Sequence, residues 1–410
     1  MNSLTTLTAT IILGVVVAGA CGSNARTPGG SATGGATAGG GAGGNGGKTG
    51  SGGAAGQGGR GGVAIAIGAG SESTCAVLSN GTVKCWGSGP LGDGMSYLGA
   101  GPVQVTGLAG AAAVAGSLNH TCAVLSDGTA ACWGGNTFGQ LGNGAFTSTA
   151  MTPVVVTGLA GAAQITLGSE HTCAIVSGGG VACWGDNSFG MLGNGTTTAS
   201  TRPVVVTGLT GAVAIAAGLS HTCAVLSTGL VECWGVGSSG QLGTGATTPS
   251  MIPVAVPGLT GATGIAAGRY HTCAVLSGGT VSCWGLNGDG QLGNGTTTSS
   301  MIPVAVSGLT DATAVAAGES YSCALLSAGT VTCWGAGQTG KGVTMPALAP
   351  VAVASLTSVT AIVAGDGHTC ALLSGGTVAC WGDGSRGQLG NGITTTFSLT
   401  PVLVTGLTAP

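Results

Sequence analysis

A cysteine, nine residues, a second cysteine and then Trp-Gly recur seven times in this chain, and no other feature limits its folding so tightly. The pairs are Cys75/Cys85, Cys122/Cys132, Cys173/Cys183, Cys223/Cys233, Cys273/Cys283, Cys323/Cys333 and Cys370/Cys380. In the first copy Cys75-Ala-Val-Leu78 is apolar and partly β-branched, and Thr82-Val-Lys-Cys-Trp86 alternates as a half-buried strand does. Ser79-Asn80-Gly81 lies between them. A three-residue hairpin loop ends with a left-handed residue, usually Gly, and Gly fills that slot in every copy: Gly81, Gly128, Gly179, Gly229, Gly279, Gly329 and Gly376. Centring the hairpin on residue 80 pairs Val77 with Val83 and sets Cys75 opposite Cys85. Directly opposed residues of this kind lie about 4.5 Å apart at Cα, within a disulfide's reach. The register therefore predicts seven disulfides, one per hairpin. Zinc sites favour ligands two to four residues apart, which this spacing does not supply. Free buried thiols are the other alternative.

Composition narrows the compartment and the partners. The chain has 410 residues, 87 of them Gly, with only 5% charged and 3% aromatic. So much Gly alone would suggest low complexity, but the regular repeat overrules that. Eight Lys plus Arg and a net charge of −3 cannot form a basic patch, which argues against nucleic acid as a partner. Fourteen of the 15 cysteines sit in hairpin pairs, leaving Cys21, and an even paired set points to an oxidising compartment.

Residues 4–20 form an apolar run too brief for a membrane span and suited to the core of a secretory signal. Ala18-Gly-Ala-Cys21 ends it and resembles a bacterial lipobox, which implies cleavage before Cys21 and acylation of its thiol. The alternative is an ordinary signal peptide with a free cysteine nearby. Residues 22–62 are almost all Gly, Ala, Ser, Thr and Asn, too poor in apolar bulk to fold. As a flexible tether they reach about 35 Å. The expected division is a signal peptide at 1–20, a lipidated tether at 21–62 and a repeat domain at 63–410. The expected location is the bacterial cell envelope, lipid-anchored at the outer membrane or cell surface, or the exterior if Cys21 is not acylated.

Successive second cysteines are 47, 51, 50, 50, 50 and 47 residues apart (85 to 132, 132 to 183 and onward to 380). Periods of this size mark propellers or solenoids. One unit reads Pro203-Val-Val-Val206 as a strand, a Gly208-Leu209 turn, and Ala214-Ile-Ala-Ala-Gly218 as a second strand. The cystine hairpin supplies two more, and a long polar loop contains Gln241-Leu-Gly-Thr-Gly245. Seven four-stranded units predict an all-β, seven-bladed propeller. A β-solenoid is the alternative, but it would need end caps. With the long loop taken as the bridge between blades, the last strand, Pro401-Val-Leu-Val404, would complete the first blade and close the ring.

Trp133-Gly-Gly-Asn-Thr-Phe-Gly-Gln-Leu-Gly-Asn-Gly144, then Pro153-Val, His171-Thr-Cys-Ala and Gly179, resemble the repeats of the regulator of chromosome condensation (RCC1) family. The resemblance runs through all seven units and implies a seven-bladed propeller. Members differ widely in partner: an exchange factor for a nuclear GTPase, plant photoreceptor proteins and a secreted bacterial β-lactamase inhibitor. Fold therefore does not fix function. The hairpin cysteines depart from intracellular members and favour an extracellular bacterial branch.

Candidate chemistry is sparse. His120, His171, His221, His271 and His368 share one unit position, with Ser73 and Tyr321 in the other two units. Equivalent positions on a ring diverge, so hydrogen bonding between blades is the better reading than catalysis or metal binding. The seven tryptophans read as blade packing, with sugar stacking as the alternative. Asp186, Asp289 and Asp383 are scattered and form no calcium loop. Asn143-Gly, Asn194-Gly, Asn294-Gly and Asn391-Gly read as turns. No catalytic, metal or cofactor constellation emerges. Units one and six lack three residues after Trp-Gly, unit six carrying Lys341. Loop departures on a rigid scaffold can tune binding, but repeat drift is the better reading of these two.

The expected function is non-catalytic: a monomeric binding propeller at the cell surface, engaging a protein through one loop face and touching membrane only through its lipid. The binding candidates are Phe138, Phe146, Phe189, Tyr270, Lys341 and Phe397. The alternatives are a secreted enzyme inhibitor using the aromatic loops, or a glycan-binding propeller using exposed tryptophans.

Overall fold

A computed structural model describes residues 62–95, 98–337, 340 and 345–407. The expected signal peptide, the tether ahead of its last residue Gly62, Cys21 and Lys341 lie outside the described residues. The rest forms seven antiparallel four-stranded sheets. Blade one contains β1 (Ala64–Ala69), β2 (Ser73–Leu78), β3 (Val83–Ser88) and β4 (Leu98–Gln104). Blades two to seven repeat that order at 111–155, 162–205, 212–255, 262–305, 312–352 and 359–403. First strands are rich in Ala and Gly because seven of them converge at the axis. Gly68 shows how close they come: a Cβ there would lie 2.4 Å from the carbonyl oxygen of Val114 in blade two.

The hairpin register is the one read from the cysteines. Cys75 faces Cys85 and Val77 faces Val83. The same opposition recurs in the other blades, where Cys122 faces Cys132, Cys173 faces Cys183 and Cys223 faces Cys233. Cys273 likewise faces Cys283, Cys323 faces Cys333 and Cys370 faces Cys380. Each of the seven pairs is a disulfide with Cα atoms 4.0–4.1 Å apart. That is somewhat closer than the roughly 4.5 Å typical of such opposed pairs, and neither zinc ligands nor free thiols describe these cysteines. Gly81 holds φ at 76°, and its six equivalents are likewise left-handed.

The ring closes differently from the sequence expectation. Thr395–Leu403 does not complete blade one; it pairs with Val378–Gly384 of blade seven, Cys380 facing Val402. Blade one has its own outer strand, Cys85 facing Val103. The long loop joins the third and fourth strands within a blade, and the short Gly-Leu turn crosses between blades. The loop is long because it reaches over the next blade and returns. Gly144 of blade two, for example, donates its N–H to the carbonyl of Thr201 in blade three at 2.9 Å. The same strap closes the ring, from Gly392 N–H to the carbonyl of Ala100 at 3.0 Å.

The recurring words of each unit meet at the seams between blades. The Gln140 carbonyl in the blade-two loop accepts from two groups of blade three, Thr172 Oγ1 and Trp184 Nε1, both at 2.9 Å. Because Thr172 spends its proton there, its oxygen accepts from His120 Nε2 at 2.7 Å, which fixes the Nε2–H tautomer. Gln241 and Gln291 repeat this pattern with blades five and six. Gln388 repeats it across the closing seam, with Thr74 and Trp86 of blade one and His368 of blade seven. Gly142 is required beside Trp184, since a Cβ there would sit 2.7 Å from the indole nitrogen. The histidines are fully buried, and loss of solvation lowers His120 and His221 to about 3 and His171, His271 and His368 to about 4. They are structural, as expected.

Between blades three and four Met191 stands in the Gln position, and among the described residues its carbonyl accepts from Trp234 Nε1 alone. Two further seams lack part of this pattern, and both involve the shortened loops. After units one and six, Trp133 and Trp381 have no partner for Nε1 among the described residues. This gives a paired test. Trp184→Phe loses a buried hydrogen bond and should cost about 1 kcal/mol more than Trp133→Phe, which loses none. Urea midpoints of the two variants would show the difference, and equal midpoints would contradict the seam assignment.

Candidate functional site

Two unlike faces result from this topology. The turns between first and second strands and the long loops emerge on one, the loop face. Ser88 N–H bonds to the Glu72 carbonyl and Asp186 N–H to the Glu170 carbonyl, each at 2.8 Å, tying turn to loop. The cystine hairpins and the crossings between blades emerge on the other.

The loop face collects charge that looked scattered in the sequence. Of eleven carboxylates, Glu72, Glu170, Glu319 and Asp366 lie in its turns, Asp93, Asp186 and Asp289 in its loops, and Asp383 at the loop end of the third strand of blade seven. Only Asp127, Glu232 and Asp311 lie elsewhere. Arg269 pairs with Glu319, and Arg386 lies 3.9 Å from Glu72. Burial pushes Glu170 up to about 7, against the pull of a hydrogen bond from Asn119, while Gln140 also donates to it. Burial likewise raises Asp366 to about 7, although Ser71 Oγ donates to it.

Within this acidic face lies an apolar pocket of about 330 Å³. Phe189, 56% exposed, comes from the blade-three loop. Leu219 and Val236 come from blade four, and Tyr270 from the blade-five turn. The Arg269 guanidinium stacks 5.3 Å from the Tyr270 ring centroid, so its charge is shared between that ring and Glu319. At the preceding seam Phe138 is the counterpart of Phe189, but the facing turn is Ser169-Glu170, and Gln140 and Asn119 hold that carboxylate. The pocket depends on Leu219 and Tyr270 standing where the turns of blades one, three, six and seven carry Ser-Glu, Glu-Ser or Asp-Gly. A larger, shallow hollow of about 820 Å³ lies on the opposite face, lined mainly by small residues such as Gly179, Thr228 and Thr263.

Of the sequence candidates, then, Phe189 and Tyr270 come together. Phe138 and Phe146 are exposed on the blade-two loop of the same face, while Phe397 is exposed on the outermost strand of blade seven. Leu219, Val236 and Arg269 were missed. Their signal was a bulky side chain in a turn or loop slot that small or polar residues usually fill. The half-cystines are not part of the site. Cys85, Cys132, Cys183, Cys233, Cys283, Cys333 and Cys380 are all buried in the third strands beside the tryptophans, and none of them or their partners lines the pocket. Their role is to brace the blades. All seven tryptophans are 0% exposed, so the glycan reading loses the stacking rings it relied on. Among the described residues no three His, Cys, Asp or Glu side chains are grouped to hold a metal ion. Among the same residues no helix is long and apolar enough to cross a membrane. The site offers an apolar recess and fixed charge, which suits recognition of a side chain.

Comparison with known proteins agrees with this architecture. The sequence signature of the RCC1-like domain matches residues 162–409, more than half of the chain. Signatures of the regulator of chromosome condensation repeat match 127–175, and 64–92 with 111–140. No curated protein matches significantly in sequence. Human WBSCR16 is similar in structure, with TM-score 0.69 and 24% identity over 76% of this chain and 86% of that one. Prp20p from Saccharomyces cerevisiae, studied for binding to Gsp1p and histones, gives 0.70 and 21% over 80% and 87%. Yeast RCC1 (Prp20) with Kap60 bound gives 0.68 and 20% over 82% and 84%. At these identities the likeness establishes the fold.

Proposed function

We propose that this chain, which belongs to the RCC1-like domain family, acts by binding a protein partner through its loop face without catalysing a reaction. The observation that carries this reading is the Phe189–Tyr270 pocket. Three blades contribute apolar side chains to one solvent-open recess, an arrangement that suits the anchor of a protein interface. Prp20p, a structural neighbour, is described with protein partners, which supports binding as a use of this scaffold. The seven disulfides and the lipobox-like Ala18-Gly-Ala-Cys21 favour a bacterial cell surface, with the chain anchored through an acylated Cys21.

One experiment on intact cells tests both parts. Cross-linking with the full chain should capture a defined surface protein, and Phe189→Ala/Tyr270→Ala should lower its yield about tenfold. Capture unchanged in the double variant would refute the loop-face reading. Cys21→Ser in the same cells should move the chain from the membrane to the soluble fraction. Retention on the membrane would refute the anchor.

A further inference from the structure

We infer that the Phe189–Tyr270 pocket receives a bulky apolar side chain carried on a basic segment of its partner. This deepens the binding reading above and rests on it. The recess falls near the lower end of the roughly 300–1,000 Å³ typical of ligand pockets, a size suited to one aromatic or branched side chain with its adjoining backbone. Its walls are Phe189, Leu219, Val236, Pro249 and the Tyr270 ring, which offer an apolar guest contact area and few hydrogen bonds.

Charge decides what flanks that guest. Asp186 stands three positions before Phe189, and Asp289 is exposed in the blade-five loop at the position Phe189 holds in blade three. Glu319 lies in the turn beyond blade five, whereas Glu170, in the turn before blade four, is raised by burial to about 7 and adds little charge. Arg269 is the cation in the wall, and it is already paired with Glu319 and stacked on Tyr270. Arg202 sits further out, on the outer strand of blade three beside Gly144. A segment bearing Lys or Arg around its anchor is attracted to this setting, whereas one bearing carboxylates meets like charge. Such complementarity raises association rates and selects among partners.

The test uses the full oxidised chain and three fluorescein-labelled peptides read by anisotropy: Lys-Lys-Phe-Lys-Lys, Lys-Lys-Ala-Lys-Lys and Glu-Glu-Phe-Glu-Glu. The first should bind about tenfold more tightly than either of the others. Phe189→Ala/Leu219→Ala should remove that preference. Asp186→Asn/Asp289→Asn should weaken binding a few-fold and flatten its loss between about 50 and about 500 mM salt. Thermal midpoints of each variant check that it is folded, and the exposed Phe189, Asp186→Asn and Asp289→Asn arms stand if Leu219→Ala does not fold. Equal or tighter binding of the acidic peptide, or binding indifferent to Phe189→Ala, would overturn the inference. The two readings fail separately. If the captured surface protein depends on Phe189 and Tyr270 but touches them through an acidic or purely polar segment, partner binding stands and the basic-anchor assignment falls. If capture ignores both residues, the binding reading itself fails.

Discussion

Complete reduction of the seven cystines should unfold the propeller. Each bridge spans a sequence separation of 10, and closing a loop of about ten residues in the unfolded chain contributes about 3 kcal/mol. Seven such bridges sum to roughly 20 kcal/mol, more than the roughly 5–15 kcal/mol by which native proteins are stable. Thirteen of these cysteines are 0% exposed and Cys75 is 3% exposed, so reductant reaches them through opening of the blade. Tryptophan fluorescence after reduction in moderate urea and removal of the denaturant should report exposed indoles. A reduced chain that regains the native spectrum and a cooperative urea transition would show that the blades do not need their bridges.

Acid is the second large lever. The five buried histidines titrate at about 3 to about 4 in the fold, against about 6.5 in an unfolded chain. Their contribution is fully present above pH ~6.5 and is lost as pH falls towards ~4, because the unfolded chain takes up protons that the folded one refuses. Glu170 and Asp366 run the other way. Their folded values of about 7 exceed unfolded values near 4, so they add stability as pH falls through the same window. Five protons against two leaves a net uptake of about three by the unfolded chain, a slope of about 4 kcal/mol per pH unit at its steepest. The urea midpoint should therefore be highest near pH ~7 and drop sharply by pH ~5. His221→Gln should shallow the slope. A midpoint that holds or rises on acidification would show that the histidines are not buried in the neutral form.

Much of the scaffold was legible because local rules dictate it. A left-handed Gly at a fixed offset after the first cysteine, as Gly81 follows Cys75, fixes the hairpin, and the hairpin fixes which cysteines oppose. Closure was not legible in the same way. Sequence shows that the stretch between Trp133 and Pro153 is long, but not that it travels out to Thr201 and back. The same limit governed the site. Phe189 and Tyr270 stood out as rare aromatics in loops, yet only the ring brings them together across blade four. Leu219 carried no signal along the chain, and the fold places it in the same pocket as both. The carboxylates looked sparse along the chain because their clustering is a property of the circle: one or two per unit, mostly at the same edge.

The seam between blades seven and one has a consequence of its own. His368, Thr74, Gln388 and Trp86 reproduce there the bonds that His120, Thr172, Gln140 and Trp184 make between blades two and three. Lys84 Nζ adds a further bond to the carbonyl of Gly406 at 2.7 Å. Side-chain and strap contacts therefore hold blades seven and one together where no peptide joins them. One sector of the rim can then vary in its loops while the contacts that keep the circle shut are supplied at other seams.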